Sequence, residues 1–245
     1  MGIAPGVSPD LNASYRKWWE WCAIFEALSS RGMLVRGKRG LGFAVGTEPL
    51  AAAFASRGTH VLATDLHIGA STGDWADNGQ HAGSLEALAH PEIIDDARFR
   101  ELVSFQPADM NHLDEFESES FDFTWSSCAL EHIGKLEDGL NFIVNAMRLL
   151  KPGGVAVHTT EYNVSSNEGT IMQGDCIYRR QDIERLDYAL RPHRCGLEPV
   201  DFNAGVHPYD LDYDSPPYFS DGPRHIKLLI GDYVSTSMVL IVRKA

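Results

Sequence analysis

The stretch GLGFAVGTEPLAAAFASRGTHVLATDL, residues 40–66, decides the fold. Its glycine-rich beginning, 40–46, is typical of a strand that passes into a turn, and the alanine-rich run predicts a helix over 47–57 with Thr47 as its cap. Residues 60–66 are a second short apolar run that ends in Asp65 and Leu66. A strand, a helix and another strand at this spacing predict a parallel βαβ unit.

The same alternation continues outward from this stretch. Helical spacing of apolar residues predicts a helix at 15–28, and two C-terminal runs, 225–231 and 236–244, lie too close together for a helical crossover and must be antiparallel. Further strands are predicted at 101–110, 121–128 and 154–160, with a helix at 138–150. The fold class is therefore α/β, a mostly parallel sheet with helices on both faces and an antiparallel last strand.

Composition excludes several classes of function. The chain has 245 residues and a formal net charge of −13, with 44% hydrophobic and 22% charged residues, which is typical of a globular protein. A chain with this negative charge repels phosphate backbones. We therefore expect a small-molecule or neutral glycan partner and no nucleic acid. The sequence shows neither a secretory signal nor an apolar run long enough for a membrane span, and we expect a cytoplasmic protein. The four scattered cysteines are expected to be reduced thiols.

Candidate binding residues cluster where strands are predicted to end. Gly40, Gly42 and Gly46 allow a sharp turn and a close approach to a ligand, and Asp65 follows Gly46 by nineteen residues at the end of the second strand. A carboxylate at that position accepts hydrogen bonds from ribose hydroxyls. The third small residue of a dinucleotide turn would fall at Val45, so the turn is looser and suits a nucleoside cofactor without a pyrophosphate.

These motifs resemble the class I S-adenosylmethionine-dependent methyltransferases. The resemblance covers residues 35–160 through GLGFAVG, HVLATDL, ADM (108–110), FDFTWSSCALEHIG (121–134) and LLKPGG (149–154), in the family's order. It implies a Rossmann-like, seven-stranded sheet and S-adenosylmethionine as cofactor. The cofactor contacts that it implies are Gly40, Gly42, Gly46, Asp65, Leu66, Asp109, Met110 and Ser126.

One position departs from the family pattern. The acid that normally precedes the first glycine by two residues is replaced by Lys38, which puts the anchoring of the cofactor's amino group in doubt. Glu48, just beyond the turn, is the candidate substitute; a favourable charge at a helix start is the alternative interpretation of Glu48.

Two residues are candidates for proton transfer to or from the acceptor. His132 lies in the CALEHIG turn and Glu161 follows the fifth strand, and both are expected at the carboxyl edge of the sheet, where open α/β sheets bind ligands. His132 is also open to a structural role, and His158 is interpreted as an interior histidine. No metal site is predicted, since the acidic loop around His207, Asp210, Asp212 and Asp214 is interpreted as solvated.

The sequence predicts one methyltransferase domain over 1–245: an N-terminal arm and helix (1–34), a cofactor-binding core (35–160) and substrate-side segments with the last strands (161–245). The predicted activity is methyl transfer to a small polar acceptor, with O-methylation of a sugar or surface-glycan unit favoured by the stretches DFTWSSCALEHIG and VAVHTTEYNVSSNEGT. The alternative is a non-catalytic module of the same fold that holds the nucleoside. The sequence predicts no oligomeric state.

Overall fold

A single mixed sheet organises the molecule. The computed structural model describes residues 15–67, 81–207, 210–218 and 225–245. Seven strands follow one another across the sheet in the order β3-β2-β1-β4-β5-β8-β6, and β7 pairs separately with β8. Strands β1 to β5 are mutually parallel, whereas β8 runs antiparallel to β5, β6 and β7. The predicted α/β fold with an antiparallel last strand is confirmed, and β7 brings the described strands to eight.

The strands are β1 (Arg39–Phe43), β2 (His60–Asp65), β3 (Val103–Pro107), β4 (Phe121–Ser127), β5 (Leu150–Asn163), β6 (Cys195–Leu197), β7 (Leu228–Ile230) and β8 (Tyr233–Lys244). The α-helices are α1 (Tyr15–Ser30), α2 (Leu50–Ser56), α3 (Asp96–Leu102), α4 (Leu136–Ala146) and α5 (Arg180–Leu190).

Two hydrophobic clusters, one on each face, hold the helices to the sheet. The first packs α4 and α5 against residues such as Leu41, Phe43 and Ala156. The second packs α1, α2 and α3 against residues such as Phe123 and Trp125. Because side chains alternate between the two faces of a strand, β4 and β5 supply residues to both clusters, and β4 is buried along its whole length.

Several predicted boundaries are wrong by a few residues. The strand predicted to start at residue 101 starts at Val103, because α3 reaches Leu102 with Asp95 as its cap; the Asp95 side chain accepts a hydrogen bond from the Arg98 N–H at 3.0 Å. Helix α2 starts at Leu50 rather than Thr47, since Pro49 is its N-cap. The predicted helix 138–150 is α4 followed by a 3₁₀ turn, Met147–Leu149.

The cysteine prediction is confirmed, since Cys22, Cys128, Cys176 and Cys195 are all unpaired thiols. Within the ranges described above, no helix combines the length and apolar character that crossing a bilayer would require.

Candidate active site

The candidate site lies at the carboxyl edge of the central strands. Strand β1 is flanked by β2 on one side and by β4 on the other, so the strand order reverses at this point. Open α/β sheets bind ligands in the crevice beside such a reversal. The turns that follow β1, β2, β3 and β4 therefore surround the candidate site.

Gly40 and Gly42 lie inside strand β1, and their predicted place in the turn is wrong. A Cβ atom would stand 2.2 Å from the Phe123 ring at Gly40 and 2.3 Å from the Trp125 ring at Gly42. Both glycines pair directly with these aromatic residues of β4 across the parallel ladder. The rings occupy the space above both glycines, so packing alone requires glycine at these two positions.

The turn itself is built from the residues after β1. Ala44 and Gly46 both have positive φ, 47° and 52°. Positive φ at a non-glycine residue is strained and concentrates at functional sites. The sequence analysis identified Gly46 correctly as a turn residue but missed Ala44, because an alanine carries no sequence signal for this conformation.

Asp65 holds this turn against the end of β2. Its Oδ2 atom accepts hydrogen bonds from the N–H groups of Gly46 and Ala82, both at 3.1 Å, and its Oδ1 atom accepts from the Leu66 N–H at 2.8 Å. The Leu66 carbonyl lies 2.5 Å from Nε2 of His81. Asp65 thus stands at the predicted position beside the turn, already fixed by main-chain donors.

Asp109 and Met110 follow β3 at the same edge. The Asp109 carboxylate accepts from the Asn111 N–H at 2.8 Å and lies 2.9 Å from Nδ1 of His112. Burial acts to raise the pKa of Asp109, but the Asn111 N–H and His112 outweigh it and lower that pKa. Met110 is buried in the cluster under α4, so its observed side-chain role is core packing.

Lys38 is remote from the candidate site. It precedes β1, and its Nζ atom lies 2.9 Å from Oδ1 of Asp122, which also bonds Lys151 at 3.0 Å. This ion-pair group sits at the amino end of β1 and β4, opposite the turn. The concern that Lys38 disturbs cofactor anchoring is therefore wrong, because its position in space is not that of the missing acid.

Glu48 lies under the N-terminal helix. Its Oε1 atom is 3.9 Å from Nζ of Lys17, which is also 3.4 Å from Oε2 of Glu20. Burial raises the pKa of Glu48 to about 7, although the Lys17 ammonium acts in the opposite direction. Lys17 and the two carboxylates form a half-buried ionic contact between α1 and the residues just before α2.

Helix α1 supplies further charged groups that the sequence analysis missed. The Arg16 guanidinium contacts Glu161, and its Nε atom donates to the Ser237 hydroxyl at 2.7 Å. Glu20 is fully buried and accepts from the Ser127 hydroxyl at 3.4 Å and the Cys128 thiol at 3.0 Å. The i,i+4 pair of Arg16 and Glu20 was visible in the sequence, but nothing in it indicated where the helix docks.

Ser126 points away from this charged group. It is fully buried, and its hydroxyl lies 2.8 Å from Nδ1 of His158, whose ring packs on Phe142 of α4. Because alternate residues face opposite sides of a strand, the neighbouring Ser127 faces this charged group. Burial lowers the pKa of His158 to about 3, so this ring is neutral and interior, as predicted.

The two candidates for proton transfer have different surroundings. Nδ1 of His132 lies 3.1 Å from Oδ1 of Asp175, and the His132 side chain is partly exposed. Glu161 is buried; the Ser235 hydroxyl donates to its Oε2 atom at 2.6 Å, and Arg16 contacts its Oε1 atom. An imidazole oriented by a carboxylate is a suitable base, whereas both oxygens of Glu161 are already engaged.

Cys128, Glu131 and Glu161 are brought together beside these residues. One potential ligand atom from each lies within 4.8 Å of the others. Glu131 accepts from the Thr160 hydroxyl at 3.1 Å and from the Glu161 N–H at 2.7 Å, while Arg16 supplies the positive charge next to Glu161. These contacts give the group protein partners, and we assign no metal to it.

Known proteins share part of this sequence and this architecture. Residues 41–158 match the family described as Methyltransferase domain. No curated protein is significantly similar to the chain in sequence. Among solved structures, an S-adenosylmethionine dependent methyltransferase from Mesorhizobium loti has a TM-score of 0.53 at 17% identity, with 91% of this chain and 98% of that one covered.

Two further structures are similar at low identity. Magnesium protoporphyrin IX methyltransferase from Synechocystis PCC 6803, with bound S-adenosylhomocysteine, has a TM-score of 0.54 at 11% identity over 100% of this chain and 90% of that one. Phosphoethanolamine N-methyltransferase 2 from Haemonchus contortus has a TM-score of 0.54 at 20% identity, with 93% of this chain and 52% of that one covered. The chain thus spans about half of the Haemonchus protein, and it spans 61% of a similar chain from Galdieria sulphuraria.

The fold is therefore that of the class I methyltransferases, and residues 41–158 are similar to the methyltransferase domain family.

Proposed function

We propose that the protein transfers a methyl group from S-adenosylmethionine to a hydroxyl group of a sugar or surface-glycan unit. The observation that carries the proposal is the strained turn at Ala44 and Gly46, with Asp65 beside it and Asp109 at the end of the next strand. The sugar acceptor rests on the resemblance of the stretches around His132 and Glu161, together with the net charge of −13, which disfavours anionic polymers.

The residues at this edge fit the cofactor chemically. The donor carries positive charge on its sulfur and its amino group, and four carboxylates, those of Glu20, Glu48, Asp65 and Asp109, stand around the turn and the strand ends. Asp65 with Leu66 would hold the ribose, Asp109 with Met110 the adenine, and Glu48 the amino group. Gly46 provides the close backbone approach.

The protein's own contribution to transfer is alignment, exclusion of water and removal of a proton. The cofactor, when bound, supplies an activated methyl group whose transfer discharges the sulfonium. Helix α1 covers the carboxyl edge with Arg16 and Glu20 and keeps water from the reacting groups. His132, oriented by Asp175, takes the proton from the acceptor hydroxyl, and Glu161 is the second candidate for this role.

Replacement of His132 tests the assignment of the base. We expect His132→Ala to lower turnover by roughly 10²–10⁴-fold, the usual contribution of general acid–base catalysis, with affinity for S-adenosylhomocysteine unchanged. His193→Ala, which removes an exposed histidine after α5, is the matched control. Normal turnover in His132→Ala would transfer the role to Glu161 or to alignment alone.

The function itself is tested by calorimetry and product analysis. Titration with S-adenosylmethionine and S-adenosylhomocysteine should show binding, and incubation with candidate glycans and a labelled donor should give a methylated product. Binding of NADH without binding of either sulfur compound would contradict the proposal.

The alternative, a module that holds the nucleoside without turnover, depended on Lys38. Because Lys38 lies at the opposite edge of the sheet, paired with Asp122, it gives that alternative no support.

A further inference from the structure

A cavity of about 270 Å³ lies along the outer edge of β8, and we call it the edge groove. Its wall includes Trp19 of α1, Tyr162 of β5, Thr236 and Ser237 of β8, and Phe202 and Asn203 from the segment after β6. It reaches both faces of the sheet, because neighbouring residues of β8 point to opposite sides. Its volume is close to the lower limit of about 300 Å³ for small-molecule sites.

Part of the outer edge of β8 has no partner strand among the described residues along this groove. Strand β7 pairs with residues 233–235 and β6 with residues 242–244, so within the described parts of the chain no strand pairs with the outer edge of 236–241. The Glu198 N–H donates to the Ile241 carbonyl at one end of that edge. A strand edge offers alternating N–H and C=O groups, and a ligand that both donates and accepts at short intervals satisfies them. Hydroxyl groups have this property.

Aromatic rings form the apolar part of the wall. Trp19 is the most accessible of them, with 38% of its surface exposed. Tyr162 and Phe202 pack on each other with ring centroids 5.5 Å apart, and Arg180 lies 4.9 Å above the Phe202 ring. A half-exposed indole beside polar main-chain groups suits a ligand with one apolar face and a polar rim. The ring of a hexopyranose has this shape.

The charges around the groove favour a neutral ligand. Glu198, which also lines it, bonds Arg31 at 3.0 Å and contacts Arg243, so its charge is compensated by protein cations. Asp201 adds a carboxylate to the wall. A phosphate or sulfate would face this carboxylate in a protein of net charge −13, whereas an uncharged polyol meets no repulsion.

Ser237 connects the wall of the groove with the charged group beneath α1. This residue lines the groove, and its hydroxyl accepts from Arg16 at 2.7 Å and contacts Glu20. It is also the direct partner of Glu161 across the β5–β8 ladder. A ligand in the groove therefore lies next to the charged group beneath α1.

We propose that the edge groove binds a neutral hexopyranose unit of the acceptor, adjacent to the unit that is methylated. The inference rests on the proposed function, since it extends the acceptor site from the reacting sugar to its neighbour. Trp19 packs against the face of that sugar, and the free edge of β8 receives its hydroxyl groups. The groove would thus select glycans over isolated small alcohols.

Saturation-transfer NMR with the full chain tests this site. The probes are the methyl glycosides of glucose, galactose and mannose, with maltose and lactose as disaccharides. We expect at least one probe to bind the wild type. The saturation-transfer signal of that probe should be at least five-fold lower with Trp19→Ala, and it should be partly reduced with Thr236→Val. Tyr188→Ala is the matched control, since Tyr188 is an exposed aromatic on α5 outside the groove.

The outcomes separate the groove from the proposed function. Each variant is also titrated with S-adenosylhomocysteine, and unchanged affinity shows that it is folded. Cofactor binding without binding of any sugar overturns the groove proposal alone. An equal signal in wild type and Trp19→Ala overturns it too, as does binding of a neutral Ser-Val hexapeptide in place of sugars. Sugar binding that depends on Trp19 without cofactor binding supports the groove and contradicts the proposed function.

Discussion

At the scale of single residues, glycines and carboxylates in one short stretch have unlike roles. Gly40 and Gly42 make room for two rings of β4, whereas Gly46 provides a positive φ in the turn. Asp65 binds that turn through main-chain N–H groups and also faces the cofactor in the proposed function. Residue type alone therefore did not distinguish packing from binding.

Gly42→Ala is expected to destabilise the fold. Its new methyl group would stand 2.3 Å from the fully buried Trp125 ring and 2.6 Å from Val45, and overpacking of this kind costs about 1–3 kcal/mol. Denaturant unfolding measures the change. Gly196→Ala is the control, because no atom lies within 4 Å of its added Cβ. Equal stability of both variants would show that the Trp125 ring can move aside.

Asp65→Ala is expected to weaken cofactor binding at least tenfold, about 1.4 kcal/mol. The change removes the ribose acceptor and also releases the N–H groups of Gly46 and Ala82. Calorimetric titration with S-adenosylhomocysteine gives the affinity. The affinity of Asp65→Asn, which keeps one carbonyl oxygen, should lie between those of wild type and Asp65→Ala. Unchanged binding in Asp65→Ala would remove this residue from the site.

At the scale of elements, helix α1 completes the candidate site. It brings Arg16, Lys17 and Glu20 over the ends of β4, β5 and β8, where they meet Glu48 and Glu161. The contact between α1 and Glu48 has a direct consequence for pH dependence.

Glu48 should make the protein less stable as pH rises from about 4.5 to 7. Burial raises its folded-state pKa to about 7 from an ordinary value of 4.5, so in this window the folded protein keeps a proton that the unfolded chain has released. The stabilisation is complete below pH 4.5 and is lost through pH 7. Glu48→Gln removes this slope. Urea unfolding at several pH values checks it, with the exposed Glu26→Gln on α1 as control.

A slope that is identical in wild type and Glu48→Gln would mean that another group causes it. If Glu48 pairs with the cofactor's amino group, binding also requires its ionised form, and affinity should increase through pH 7 in wild type only.

At the scale of the whole molecule, two clusters cover the opposite faces of one sheet, and the candidate active site lies at its carboxyl edge. The candidate residues Gly46, Asp65, Asp109 and His132 lie at the ends of β1 to β4 or directly after them, and Glu161 lies near the end of β5. They share this edge because parallel strands end together. Ligand binding there should stabilise the entire domain, since the turns of several strands are joined by one molecule.

S-adenosylhomocysteine at about 100 times its Kd should stabilise the protein by about 2.7 kcal/mol. For a chain of 245 residues this corresponds to a rise in Tm of roughly 5–11 °C. Thermal unfolding followed by circular dichroism gives the shift, and NADH at the same concentration should leave Tm unchanged. A shift with NADH and none with S-adenosylhomocysteine would point to a different cofactor.

The sequence by itself predicted the βαβ unit of β1, α2 and β2, the strands β3 to β5, the helices α1 and α4, the antiparallel C-terminal pair and the positions of Asp65 and Asp109. These depend on local periodicity and on residues next to a strand end, which are readable along the chain. The sequence did not predict α3, α5 or β6. Ser126 contacts His158 whereas Ser127 contacts Glu20, since one residue along a strand reverses the direction of the side chain.

Only the tertiary structure decided which residues meet. It placed Gly40 and Gly42 inside β1 against two rings of β4, and Lys38 at the amino end of β1. It also brought together Arg16, Lys17, Glu20 and Ser127, and it formed the groove beside Trp19. Contacts such as that of Glu20 with Ser237, 217 residues apart, are set by the docking of α1 on the sheet edge. That docking results from long-range packing, which leaves no periodic signal in either segment.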